Sequence, residues 1–196
     1  MEDLAGAPQA VRDDVICRLT ALFLDELFAF GLMQTDANFA NYRHDAATGD
    51  LVLLDFGATR AIPEPLAAAF LRLLRAGLAG EDAELAAAAA HIGYLDPEGE
   101  PATNAAIIGM MRMAFAELDR SEPIDVAASD LPDRMRDAAL RLADAGAAPP
   151  LPLVDALLVQ RKIGGLYLLA ARLRARIDLR PMLEARIRPD LGGAGR

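Results

Sequence analysis

Three oxygen-bearing side chains stand close together early in the chain: Asp36, then Asn41 five residues on, then Asp55 fourteen residues beyond, opening Asp-Phe-Gly with Phe56 and Gly57. The chemistry these types could do is phosphoryl transfer, which needs a carboxylate near the attacking oxygen and hard oxygen ligands for the magnesium that rides on the phosphates. In the order Asp-x-x-x-x-Asn, hairpin, Asp-Phe-Gly, the first Asp faces the acceptor while the Asn and the second Asp hold metal. Taken alone, Asp-Phe-Gly is weak, because a strand end capped by Asp55 before a turn explains it equally well. Joined to the Asp-x-x-x-x-Asn spacing, a preceding helix, an intervening hairpin and following helices, it leaves few competing explanations.

Positioning these groups requires particular elements, and the sequence supplies signals for them. From Val11 to Phe30, apolar residues recur at 11, 15, 19, 22, 23, 27 and 30, with Gly31 where a left-handed residue would stop a helix. The period then changes. NYRH and LVLLDF are short β-like runs separated by DAATGD, whose Asp and Gly residues suit a tight reversal, so a small hairpin is expected over 41–56. Helical spacing returns after Pro63 and Pro65, with Leu66, Phe70, Leu73, Leu74 and Leu78 on one face. Further helices are expected at about 82–92, 103–118 and 131–144. Pro149 and Pro150 break the chain, after which 151–177 reads as one long helical pattern weakened at Gly164 and Gly165, and Pro181 opens a last short helix. The final GGAGR is expected to fray. The fold class is mainly α, an α+β arrangement of helices with one small β-hairpin carrying the acidic residues.

Composition narrows the function classes. With 196 residues, 54% of them apolar, the chain is long enough for one sizeable core. A net charge of −9 opposes binding to nucleic acid, so no nucleic-acid partner is expected. The lone Cys17 excludes an intrachain disulfide and suits a buried thiol in a reducing compartment, placing the chain in the cytoplasm. The N-terminus lacks both a basic and an apolar leader region, and no apolar run is long enough to span a bilayer, so the chain is expected to be soluble or peripheral to the inner membrane.

Residues 160–196 carry nine basic groups against three acidic ones, so the tail is +6 and the remainder −15. Arg172, Arg174, Arg176, Arg180 and Arg186 flank Leu166, Leu169, Leu173 and Ile177, a pattern that could meet anionic lipid or pair with the acidic body; pairing is preferred. His44 and His91 are too far apart in pattern to form a metal pair. Arg60, three residues past Gly57, could meet an acidic group or a phosphate, or simply be solvated.

The residues LMQTD at 32–36, Asn38, Asn41 and LLDFGATR at 53–60 resemble the UbiB/AarF-like atypical kinases, in particular their coenzyme Q biosynthesis branch. QRKIGGLYLL at 160–169 is similar to that family's Arg-Lys-x-Gly-Gly helix. The resemblance implies a kinase-like C-terminal lobe over 1–196, with the catalytic loop, hairpin and helices in 10–148 and a helical extension in 151–190. It implies ATP with Mg2+ as cofactors, Asp36 as the catalytic-loop residue, Asn41 and Asp55 as metal ligands, and Phe56 and Gly57 beside the cofactor. The implied partners are ATP together with lipid or ubiquinone-pathway intermediates and proteins.

The sequence also departs from the family. Its Lys-x-Gly-Gln motif, alanine-rich nucleotide loop and strand lysine all precede the catalytic loop, whereas the only lysine here, Lys162, lies far downstream of Asn41. Ala37 and Phe39 stand where the family tends to have Pro and Trp. An N-lobe supplied in cis or trans is therefore expected, and the chain alone is expected to be inactive. Two other readings stay open: a truncated or scaffold-type helical protein that engages biosynthetic partners or membrane without catalysis, and an unrelated helical domain with a fortuitous hairpin. Only five residues separate Gly57 from Pro63, too few for a long activation segment, which favours a small-molecule or lipid-linked acceptor, or ATP hydrolysis, over protein substrates.

Overall fold

The computed structural model describes residues 2–36, 38–120 and 122–187; the side chains of 2, 3 and 39 are outside the description. The expectations for the final glycine-rich tail, for Ala37 and for residues 188–190 of the helical extension therefore lie outside the described residues.

Helix α1, Gln9–Asp25, buries Val15, Leu19 and Phe23 of the stripe read from the sequence and adds Ile16 and Leu24 beside them, while Val11 and Leu22 are half-buried and Phe30, beyond the helix, is exposed. The turn that follows, Glu26–Phe30, widens to π geometry and buries both Glu26 and Leu27. Gly31, at φ 62°, ends it, a conformation that costs glycine nothing. The predicted helix is thus present, but its last turn is not α. That turn points an acidic side chain inward.

Four three-residue strands follow: β1 Leu32–Gln34, β2 Tyr42–His44, β3 Leu51–Leu53 and β4 Thr59–Ala61. β2 and β3 form the expected hairpin, with Tyr42 opposite Leu53 and His44 opposite Leu51. Asp45 N–H donates to the Asp50 carbonyl at 2.8 Å and Gly49 N–H to the Asp45 carbonyl at 2.7 Å, which close the turn. Outside the hairpin, β1 and β4 pair antiparallel with Leu32 opposite Ala61 and Gln34 opposite Thr59. This second ladder was not expected from the sequence. It clamps the base of the loop that carries all three acidic-site positions.

The rest is mainly helical, as expected. α2, Glu64–Ala79, presents Leu66, Ala69, Phe70, Leu73 and Ala76 to the core, and α3, Asp82–Ile92, packs on it through Leu85, Ala88, Ala89 and Ile92. The alanines of α3 let the two axes come close. α4, Pro101–Leu118, crosses α2, and an added Cβ at Gly77 would sit 2.3 Å from the buried Phe115 ring. Alanine in place of glycine ordinarily stabilises a helix interior by about 1 kcal/mol. Here Gly77→Ala is expected to destabilise the chain by about 1–3 kcal/mol, because overpacking outweighs propensity; a urea melt that shows a gain would contradict this packing.

Beyond α4 come β5 Ile124–Asp125, α5 Leu131–Asp144, α6 Val154–Arg172, β6 Arg176–Ile177 and α7 Arg180–Ile187, the last opened by Pro181 as expected. The long helix read over 151–177 stops at Arg172, and Arg174 takes a positive φ of 48°. The cause is a change of period. Leu173, Ala175 and Ile177 are buried while Arg174 and Arg176 are exposed, a two-residue alternation that suits a strand, and β6 pairs with β5 through Ile124 opposite Ile177. One hydrophobic core runs from Leu4 through α1, α2, α3 and α6 to Leu183. Arg176 meets Asp125 at 3.5 Å, Arg180 pairs with Asp119, and Arg186 pairs with Asp25, so these tail arginines pair with the acidic body.

Candidate active site

The loop between β1 and β2 starts from a buried residue. Gln34 is 2% exposed, and each of its polar groups is engaged. Its side-chain Oε1 accepts the Asp36 N–H at 2.9 Å, and its Nε2 donates to the Asp55 carbonyl at 2.7 Å. One amide therefore ties the backbone at Asp36 to the backbone at Asp55. Thr35 adds a second tie, since its N–H and its hydroxyl both donate to the Ala58 carbonyl, at 3.1 and 2.8 Å.

The side chains follow from this frame. Asn41 Nδ2 donates to Asp36 Oδ2 at 2.9 Å, while Asp36 Oδ1 accepts the Asn38 N–H at 3.1 Å. Orienting its nitrogen toward Asp36 leaves Asn41 Oδ1 without a hydrogen bond among the described residues. The Leu54 N–H donates to the Asn41 carbonyl at 2.8 Å, which continues the hairpin ladder up to Asp55. Asp55 Oδ1 accepts the Gly57 N–H at 2.7 Å in a tight Asx turn, and the carboxylate is otherwise exposed. Phe56 is 62% exposed beside it. The structure thus joins Asp36 to Asn41 directly, and joins both to Asp55 through Gln34 and the hairpin.

What holds Gln34 is a buried ion pair that the sequence reading missed. Lys162 on α6 is 4% exposed and Glu26 in the π turn 5% exposed, with Nζ and Oε2 3.0 Å apart. The same ammonium donates to the Gln34 carbonyl at 2.7 Å and to the Tyr42 hydroxyl at 2.9 Å, so it is enclosed by three polar neighbours, although Glu26 Oε2 meets it by charge and accepts no well-aligned hydrogen bond. Glu26 Oε1 accepts the Gln34 N–H at 3.3 Å. A signal was there to be read: Lys162 falls on the stripe Val159, Leu166, Leu169 of α6, and Glu26 falls on the inward face beside Leu27. A charge on each of two apolar stripes asks for a partner.

The donor set is made of hard oxygens. Asn41 Oδ1 and the Asp55 carboxylate suit magnesium, which is commonly held by one or two protein oxygens with nucleotide phosphates and water supplying the rest. Among the described residues no group of three or more His, Cys, Asp or Glu could hold a metal unaided. His44 is half-buried in β2 and His91 exposed at the end of α3, and Arg60 is exposed in β4 opposite Met33. Cys17 is half-buried against the core; burial, then the nearby carboxylates of Asp13, Asp14 and Asp178, push its thiol pKa up and disfavour the thiolate. A groove of about 550 Å³ lies between α3 and α4, lined by residues such as Ala87, Leu95 and Ile108, and none of Asp36, Asn41 or Asp55 borders it.

Residues 2–89 match the family model of the ABC1 atypical kinase-like domain. The mitochondrial atypical kinase COQ8B of Rattus norvegicus is 28% identical over 184 residues, covering 94% of this chain and 34% of its own length. The mitochondrial atypical kinase coq-8 of Caenorhabditis elegans is 29% identical over 177 residues, 87% of this chain and 23% of its own length. The mitochondrial atypical kinase COQ8 of Saccharomyces cerevisiae is 27% identical over 179 residues, 89% of this chain and 35% of its own length. The chain therefore spans only about a quarter to a third of the length of these curated relatives.

Proposed function

We propose, for a chain homologous to the COQ8 atypical kinases and matching the ABC1 domain over residues 2–89, that it is the catalytic-loop and metal-binding lobe of an ATP-dependent atypical kinase or ATPase. That kinship bears out the family resemblance read from residues 32–60. The observation that carries the proposal is the single Gln34 amide tying Asp36 to Asp55, with Asn41 fixed against Asp36. In this reading Asp36 takes the proton of the attacking oxygen. Asn41 Oδ1 and Asp55 hold Mg2+, which when bound neutralises charge on the transferring phosphoryl group. Gly57 keeps the Asp55 carboxylate aimed by donating its N–H, and Phe56 lies beside the nucleotide.

The site as described is a half. Positioning of a triphosphate also needs a cation and a covering loop on the phosphates, and Lys162 cannot supply the cation because its ammonium is buried against Glu26, the Gln34 carbonyl and the Tyr42 hydroxyl. We therefore assign 10–148 and 151–190 to one C-terminal lobe that works with an N-lobe in cis or trans. The exposed Phe30, Leu32, Leu54 and Phe56 around the site support a covering partner. The wider role is in ubiquinone biosynthesis, with a lipid or pathway intermediate as acceptor. Placement in the cytoplasm, against the inner membrane, belongs to the same proposal; among the described residues no helix is long and apolar enough to cross a membrane. A scaffold role is the second reading, favoured by exposed Val154, Leu157 and Leu168 on one face of α6, a surface a pathway protein could cover.

The test is reconstitution. The chain alone is expected to release negligible phosphate from ATP, and the chain fused to or mixed with a relative's N-lobe to gain magnesium-dependent turnover. Kinase-like rates from the chain alone would refute the half-site argument. Absence of magnesium-dependent ATP binding in the reconstituted protein would leave the scaffold reading.

A further inference from the structure

We infer that Lys162 is a positioning residue: held by Glu26, its ammonium locks Gln34 and so fixes the catalytic-loop Asp36 relative to the metal-binding Asp55. The inference rests on the reading above for the roles of the two carboxylates, but its geometry stands without it. Lys162 and Glu26 touch neither carboxylate, and act on both through one intervening residue.

Glu26 accepts the Gln34 N–H and Lys162 donates to the Gln34 carbonyl, so both backbone groups of Gln34 are held while its side-chain amide takes the orientation that meets both loop segments. In that orientation its oxygen meets the Asp36 N–H and its nitrogen meets the Asp55 carbonyl. Lys162 also donates to the Tyr42 hydroxyl, and Tyr42 pairs with Leu53 two residues before Asp55. The ammonium therefore grips both sides of the acidic loop, at β1 and at β2. Together with the Thr35–Ala58 tie it braces a loop whose Asp36 is half-buried and whose Asp55 is exposed. The donor comes from α6, 128 positions away from Gln34, so the helical extension is part of the site's frame as well as of the core. Buried polar networks of this kind rigidify a site, and a lost member is felt by the groups it orients.

The experiment uses the full chain, with Mn2+ alone as probe, and follows two readouts in the folded protein: hydrogen exchange of the Asp36 amide and the affinity for Mn2+. Lys162→Met and Gln34→Met are both expected to speed Asp36 exchange and to weaken Mn2+ binding by about tenfold, the effect of removing an outer-shell brace. Gln34→Met leaves the ion pair intact and so keeps the test available if Lys162→Met unfolds. Lys162→Arg should restore part of both readouts. Glu26→Gln combined with Lys162→Met should refold well and yet restore neither. A merely structural role would lower the melting temperature of Lys162→Met and leave both readouts unmoved, and that result would overturn the inference. If the wild-type chain binds no Mn2+ without nucleotide, Asp36 exchange alone decides: protection that survives in Lys162→Met overturns the brace, and protection lost there upholds it.

Discussion

Lys162→Met should lower the stability of the chain by about 3–5 kcal/mol, the penalty of leaving one buried charge without its partner. For a domain of this length that is a fall in melting temperature on the order of 10 °C. The size follows from what is left behind. Glu26 is 5% exposed, and after the substitution its carboxylate keeps only the Gln34 N–H at 3.3 Å, while the Gln34 carbonyl and the Tyr42 hydroxyl lose their donor. Neutralising the other end should recover most of the loss. Glu26→Gln with Lys162→Met removes both charges, so the desolvation cost disappears together with the attraction, and the double variant is expected within about 1–2 kcal/mol of wild type. Urea unfolding of the two single variants and the double variant closes the cycle. A Lys162→Met protein as stable as wild type would mean that the pair is not buried as described.

Much of this arrangement was legible in the sequence, and the exceptions have physical reasons. α2 through α5 followed from apolar spacing and from Pro and Gly punctuation, and the β2–β3 hairpin followed from β-like runs around Asp and Gly. The β1–β4 ladder was not legible, because a three-residue strand that buries Met33 and Gln34 while exposing Leu32 shows no apolar alternation. β6 was hidden by the opposite fault: Leu173, Ala175 and Ile177 alternate, but they follow a strong helical stripe without a break in composition. Asp36, Asn41 and Asp55 were candidates from their spacing, and the structure joins Asp36 to Asn41 and ties the backbones at Asp36 and Asp55 through Gln34. The brace beneath them could not be read from spacing, because Glu26, Gln34 and Lys162 meet only through tertiary contact. A lysine and a glutamate, each on an apolar face, were the clues.

The second large effect separates the two carboxylates. Asp55→Asn keeps an oxygen able to accept the Gly57 N–H, so the turn survives and only the charge is lost. In a protein reconstituted with an N-lobe it should abolish measurable magnesium-dependent ATP binding, since one of two protein ligands no longer carries charge. Asp36→Asn can keep its oxygen on Asn41 Nδ2 and give up only the exposed bond from the Asn38 N–H, which water replaces. Asn41 then stays oriented for metal. Asp36→Asn should therefore spare ATP affinity and depress turnover by about 10²–10⁴-fold, the contribution of a general base. The measurement that bears most directly on the account is ATP affinity and phosphate release for these two variants side by side, with magnesium and with chelator. The account predicts lost binding for Asp55→Asn and retained binding with lost turnover for Asp36→Asn. Unchanged magnesium-dependent affinity in Asp55→Asn would contradict it.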